Sequence, residues 1–126
     1  MTDTWVFLIR EPDWDSDRYL PEALAAQGPG TIDEDMAAHG RFAAAVEELG
    51  GKIVGGYALQ NRTYGGTVTP GKDGADDVWS DAPLPDSSEV ITGFYAVECD
   101  EDVARTLATQ VPTGHLIEMR KVHPFG

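Results

Sequence analysis

The spacing of apolar and polar residues changes several times along the chain, and each spacing predicts a different element. TWVFLIR over 4–10 is a nearly continuous apolar run rich in Trp, Val, Phe and Ile, which predicts a short strand buried on both faces. Residues 11–30 carry Pro, Gly and acids with no sustained period, so they read as a long loop with one short helical turn over 21–26. Met36, His39, Phe42, Ala43, Val46 and Leu49 then recur at steps of three and four, which marks one face of a helix. Thr31 and Glu34 fit a capping box at its start, Asp33, Glu34 and Asp35 complement its dipole, and Gly50-Gly51 ends it.

KIVGGYAL over 52–59 predicts a second strand, with a bulge or a close backbone approach at its glycine pair. Residues 61–80 read as a strand, a Gly- and Asp-rich turn and another short strand. EVITGFYAVEC over 89–99 is a further strand. Residues 100–112 predict a helix with Asp100 as its cap, a Val103, Leu107 and Val111 stripe, and Pro112 at its end; HLIEMRKVH over 115–123 alternates as a last strand.

The order is β-α-β, a hairpin insertion, then β-α-β. Two helices of this length cannot cover both faces of such a sheet, so they belong on one face of an α+β unit, as in a ferredoxin-like split βαβ. The other face then needs a cover, and a second copy of the chain is the simplest one, since two-fold homodimers are the commonest assemblies. With 126 residues and no repeat or linker, the chain reads as a single domain over 1–126 with a loop insertion at 11–30.

Charge and cysteine usage narrow the function classes. Nine basic residues against 22 acidic ones give a net charge of −13. That field repels phosphate backbones and anionic lipid surfaces, which speaks against nucleic-acid and membrane partners. WVFLI is too short to span a bilayer and no signal-peptide pattern opens the chain, so a cytoplasmic location is expected. The lone Cys99 excludes an internal disulfide, and its place between a strand and a helix cap suits a small core residue. His115 and His123 lie too far apart along one strand to share a metal, and GGKIVGG lacks the order of a dinucleotide loop, so no metal and no cofactor are expected.

The candidate chemistry centres on His39. Its position among Phe42, Ala43 and Val46 turns it toward the sheet, where a neutral imidazole needs a partner for its N–H. A carboxylate there would make it a general base, although spacing alone favours a core-edge histidine bonded to a backbone carbonyl. Asp81 opens the Pro-rich turn DAPLPDSSE, where aspartate is commonly a turn former. Glu89 and Glu118 are strand carboxylates, and a pairing of Glu118 with Arg120 or across strands is its simplest account. Tyr95 is one of several aromatic residues that could line a pocket or fill the core.

MAAHGRFAAAVEELGGKIVGGYAL, DAPLPDSSEVITGFYAVE and IEMRKV together resemble the YCII-related family, and within it the branch named for a D-G-P-F tetrapeptide. The resemblance runs from Trp5 to Val122. Asp81 and Pro83 fall on the tetrapeptide's aspartate and proline, with Ala82 and Leu84 in place of Gly and Phe. Glu89, Gly93, Phe94 and Tyr95 match the segment that follows, with Ser88 where a lysine is common; Glu118 and Arg120 match the terminal strand, with Lys121 where a proline is frequent.

The resemblance implies a dimeric α/β barrel, two ferredoxin-like units packed sheet to sheet, with a histidine and an aspartate in a cleft beside the first helix. On that basis His39 and Asp81 are expected as catalytic residues and Glu89, Tyr95 and Glu118 as substrate-binding groups. The function expected is that of a cofactor-independent small-molecule enzyme performing proton abstraction or elimination, with His39 as base oriented by Asp81. A distant branch of the family includes an enzyme that removes chloride from a chlorinated hydroxyquinol ring. The alternative is a non-catalytic small-molecule-binding or interaction module linked to sigma-factor regulation, as some relatives are encoded near such factors. A third alternative is a vestigial cleft on a dimer that serves only as a scaffold.

Overall fold

The computed structural model describes residues 2–12, 16–27, 33–80, 90–112 and 115–125. Strand β1 (Asp3–Glu11) leads through a short 3-10 turn and helix α1 (Pro21–Gln27) to helix α2 (Asp33–Glu48) and strand β2 (Lys52–Ala58). A small hairpin of β3 (Thr67–Thr69) and β4 (Val78–Ser80) follows, then β5 (Val90–Cys99), helix α3 (Glu101–Ala108) and β6 (Leu116–Lys121). The molecule is a mixed α+β structure: β2, β5, β1 and β6 form a four-stranded antiparallel sheet in that order, and β3 pairs with β4 in a second sheet.

Strand β1 is central, and its alternation sets the two faces of the sheet. Trp5, Phe7 and Ile9 are buried on one face with Val97 and Cys99 of β5, under Phe42 and Val46 of α2 and Ala104 and Leu107 of α3. Val6, Leu8 and Arg10 alternate with them and are only half-buried, so the strand is sealed on one face rather than both. Phe7 and Phe42 meet edge to face at a centroid distance of 6.3 Å.

Helix α2 buries a narrower stripe than its spacing predicts. Phe42 and Val46 are fully buried and Ala45 packs against the core, while Met36 and Leu49 are 58% and 41% exposed. At 3.6 residues per turn Met36 lies about 120° round the helix from Phe42, beyond the reach of the sheet. The helix ends where glycine is needed: Gly50 has φ of 83°, and its N–H and that of Gly51 donate to Glu47 O and Val46 O at 3.0 and 2.9 Å. This pair of bonds is a Schellman motif. Thr31, the expected cap, lies outside the described residues.

The glycine pair of β2 carries both features that the sequence suggests. The register against β5 shifts between Ile53 and Gly55, and a Cβ on Gly56 would stand 2.8 Å from Phe94 O. The short helical turn expected over 21–26 is α1, Pro21–Gln27, and a 3-10 turn over Ser16–Tyr19 precedes it. Buried Ser16 accepts a hydrogen bond from the Asn61 N–H at 2.6 Å, and the Tyr19 hydroxyl donates to Asp35 Oδ2 at 2.8 Å, which ties the segment to the β2 exit and to α2. Helix α3 is shorter than expected, ending at Ala108, and Asp100 occupies the N-cap position without a side-chain capping bond. Among the described residues no helix is long and apolar enough to cross a membrane.

Candidate functional site

The described part of the candidate site is built where α2 crosses the sheet. His39 sits one turn before Phe42 and is half-buried, and Tyr95 of β5 rises from the sheet between Phe7 and Gly56, its neighbours in the adjoining strands. The two side chains meet: His39 Nδ1 and Tyr95 Oη are 2.5 Å apart. Tyr95 also packs on Phe42 at a centroid distance of 4.7 Å, so the phenol is held by the core while its hydroxyl reaches the helix. Burial raises the pKa of Tyr95 above its ordinary value, which keeps the phenol neutral and able to donate.

The other ring nitrogen of His39 is placed differently. Among the described residues Trp5 Nε1 is the one buried side-chain nitrogen or oxygen without a hydrogen-bond partner. His39 Nε2 has no hydrogen-bond partner among them. The half-buried imidazole is therefore anchored through one nitrogen and bonded to no described residue at the other, an arrangement suited to meeting a ligand.

Glu118 does not join this pair. It lies opposite Leu8 on β1, whereas Tyr95 lies opposite Phe7, and adjacent residues of a strand point to opposite faces. Glu118 thus stands on the face without helices. Arg10 Nε donates to its Oε1 at 2.8 Å and Arg120 Nη1 to its Oε2 at 3.1 Å. These contacts are the cross-strand and same-strand pairings that its position in the sequence suggests. Asp81 and Glu89 fall outside the described residues.

The Arg120 hydrogen bond, and after it the one from Arg10, hold the Glu118 carboxyl below its ordinary value of 4.5. A lowered folded-state value means that the contribution to stability is present above the unfolded value and is lost as pH falls through the folded one. Glu118→Gln is therefore expected to lower the thermal midpoint at about pH 7, and the gap from wild type to narrow on acidification below about pH 4. Melting curves across that range check it, and a gap that stays constant would contradict it.

Cys99 is in the core at 3% exposure, and burial, with Asp100 beside it, pushes its thiol up, so it lacks the thiolate character of a nucleophile. Among the described residues no group of three or more His, Cys, Asp and Glu side chains is placed to hold a metal ion. The sequence missed the direct His39–Tyr95 contact. The available signal was parity: Tyr95, Val97 and Cys99 alternate along β5, and two of the three are core residues.

No protein-family model matches the chain, and no curated protein matches it.

Proposed function

We propose that the chain is a YCII-related protein of the D-G-P-F branch and acts as a cofactor-independent enzyme on a small molecule. In this reading His39 and Asp81 form the pair that manages a proton in an abstraction or elimination. The observation that carries it is the state of His39: turned inward from α2, fixed at Nδ1 by Tyr95 and bonded at Nε2 to no described residue. A merely structural histidine at a core edge has its polar atoms satisfied by backbone, whereas the ring of this one is held by a side chain from the sheet.

The strand order β2-β5-β1-β6 with α2 and α3 on one face supports a ferredoxin-like split βαβ. The opposite face carries half-buried Val6, Leu8, Phe94 and Ala96 and 73% exposed Tyr57, whose ring lies 6.0 Å from that of Phe94. No described helix packs on it. A second copy pairing sheet to sheet would bury these residues and complete a dimeric α/β barrel. The wild-type protein is expected to sediment as a dimer and Tyr57→Asp to shift it toward monomer, since the new carboxylate would be buried at the pairing surface. A wild type that sediments as a monomer would remove this part of the proposal.

The second reading, a binding or interaction module, draws on the β3–β4 hairpin. Its Val78 and Trp79 are 62% and 73% exposed, which suits a surface that meets another molecule. One experiment separates the two readings: a metabolite-library thermal-shift screen on wild type and His39→Ala, with product analysis of each hit. The enzyme reading expects compounds that stabilise only the wild type and are chemically changed by it. Hits returned unchanged favour the binding module, and hits that stabilise both proteins alike contradict both roles for His39.

A further inference from the structure

The His39–Tyr95 contact decides which hydrogen the imidazole offers to a ligand. Two arrangements are open to a phenol and a neutral imidazole: the O–H donates to the Nδ1 lone pair, or an Nδ1–H donates to the phenolic oxygen. Imidazole nitrogen is the stronger acceptor of the two and phenol the more acidic donor. The second arrangement also leaves the Tyr95 hydrogen without a place, because His39 is the only hydrogen-bond partner of Tyr95 among the described residues. Burial keeps the phenol protonated. The first arrangement therefore holds, with Nδ1 as acceptor and the ring proton on Nε2.

We propose that Tyr95 is a positioning residue that locks His39 in the Nε2–H form, so that the site presents an N–H donor and receives the carbonyl oxygen of a neutral ketone-, ester- or lactone-type compound. The donor fixes the polarity of the ligand atom that meets it, which must be an acceptor. The surroundings fix its charge. Asp35 precedes His39 by one helical turn, Asp33 and Glu34 lie just before it, and the whole chain carries −13, a field that penalises a carboxylate approaching from outside. A neutral carbonyl escapes that penalty and still gains from a donor aimed at its oxygen. This inference rests on the proposed enzyme reading and changes one role in it: His39 meets the ligand oxygen as an N–H donor rather than as the base.

The test is the nitrogen-15 NMR spectrum of the histidine rings at a pH where free imidazole is neutral, with the His39 signals assigned by their loss in His39→Gln. Wild type is expected to show Nε2 protonated and Nδ1 unprotonated, and Tyr95→Phe to lose that bias toward the mixture seen in free imidazole. A wild-type ring protonated at Nδ1 overturns the proposal, and so does a Tyr95→Phe ring with unchanged tautomer. Titration with cyclohexanone is expected to move the His39 Nε2–H resonance and titration with benzylamine to leave it in place. A response to the amine, or to neither probe, overturns the ligand class. The tautomer is read without turnover, so its failure is distinct from a screen that yields no product.

Discussion

Phe7→Ala is expected to destabilise the protein by roughly 3–5 kcal/mol, the usual cost of removing a buried phenylalanine. Phe7 is fully buried on the central strand, opposite Tyr95 on one side and Met119 on the other, and edge-on to Phe42. Its ring thus joins α2 to the middle of the sheet, and no neighbour can swing in to fill the space without breaking the strand register. A domain holds about 5–15 kcal/mol in all, so one substitution removes a large part of the total. The thermal midpoint should fall by about 10–20 °C, read by calorimetry or circular dichroism. The cavity also lies beside Tyr95 in the adjoining strand, so the variant should lose order at His39 even where it stays folded. A fall of only a few degrees would mean that α2 is not seated on the sheet through this ring.

His39→Ala is expected to lower turnover of the substrate by about 10²–10⁴ if the imidazole moves the proton. If it holds the developing oxygen charge, the expected loss is about 10²–10³. The two ranges overlap, so His39→Gln supplies the distinction. A glutamine amide retains an N–H donor and no proton-accepting nitrogen, so it recovers part of the rate only in the donor role. The alanine variant should fold, because His39 is only half-buried. Its thermal midpoint, measured beside its rate, shows that the loss is chemical rather than structural.

Much of the fold was legible because its signals are local. The end of α2 at Gly50-Gly51 depends on a left-handed residue that glycine supplies, and the distortion of β2 follows from Gly55 and Gly56. The Val103, Leu107 and Val111 stripe likewise lies on the core side, with Leu107 fully buried and Val111 packed beyond the end of α3. Elements whose limits depend on tertiary contact were less legible. Met36 follows the three-and-four spacing of α2, but it lies about 120° round the helix from Phe42 and stays 58% exposed. The helical turn over 21–26 was legible, whereas the 3-10 turn over Ser16–Tyr19 was not, since Ser16 and Tyr19 meet Asn61 and Asp35 from elsewhere in the chain.

The site divides along the same line. That His39 points inward follows from helix phase, and that Glu118 pairs with arginine follows from strand alternation. Which residue meets His39 does not, because Tyr95 is 56 positions away and reaches it only through the register of β5 against β1. The register of β6 against β1 sends Glu118 to the other side of the sheet, which a comparison of sequence neighbours cannot reveal.

His39 is, on the proposed function, the point at which this protein meets a small molecule. The most direct measurement is a crystal structure of the wild-type protein soaked with a compound that stabilises it but not His39→Ala. An oxygen of that compound is expected within hydrogen-bond reach of His39 Nε2, with Tyr95 still on Nδ1. Density for the compound elsewhere on the molecule, with His39 untouched, would contradict it.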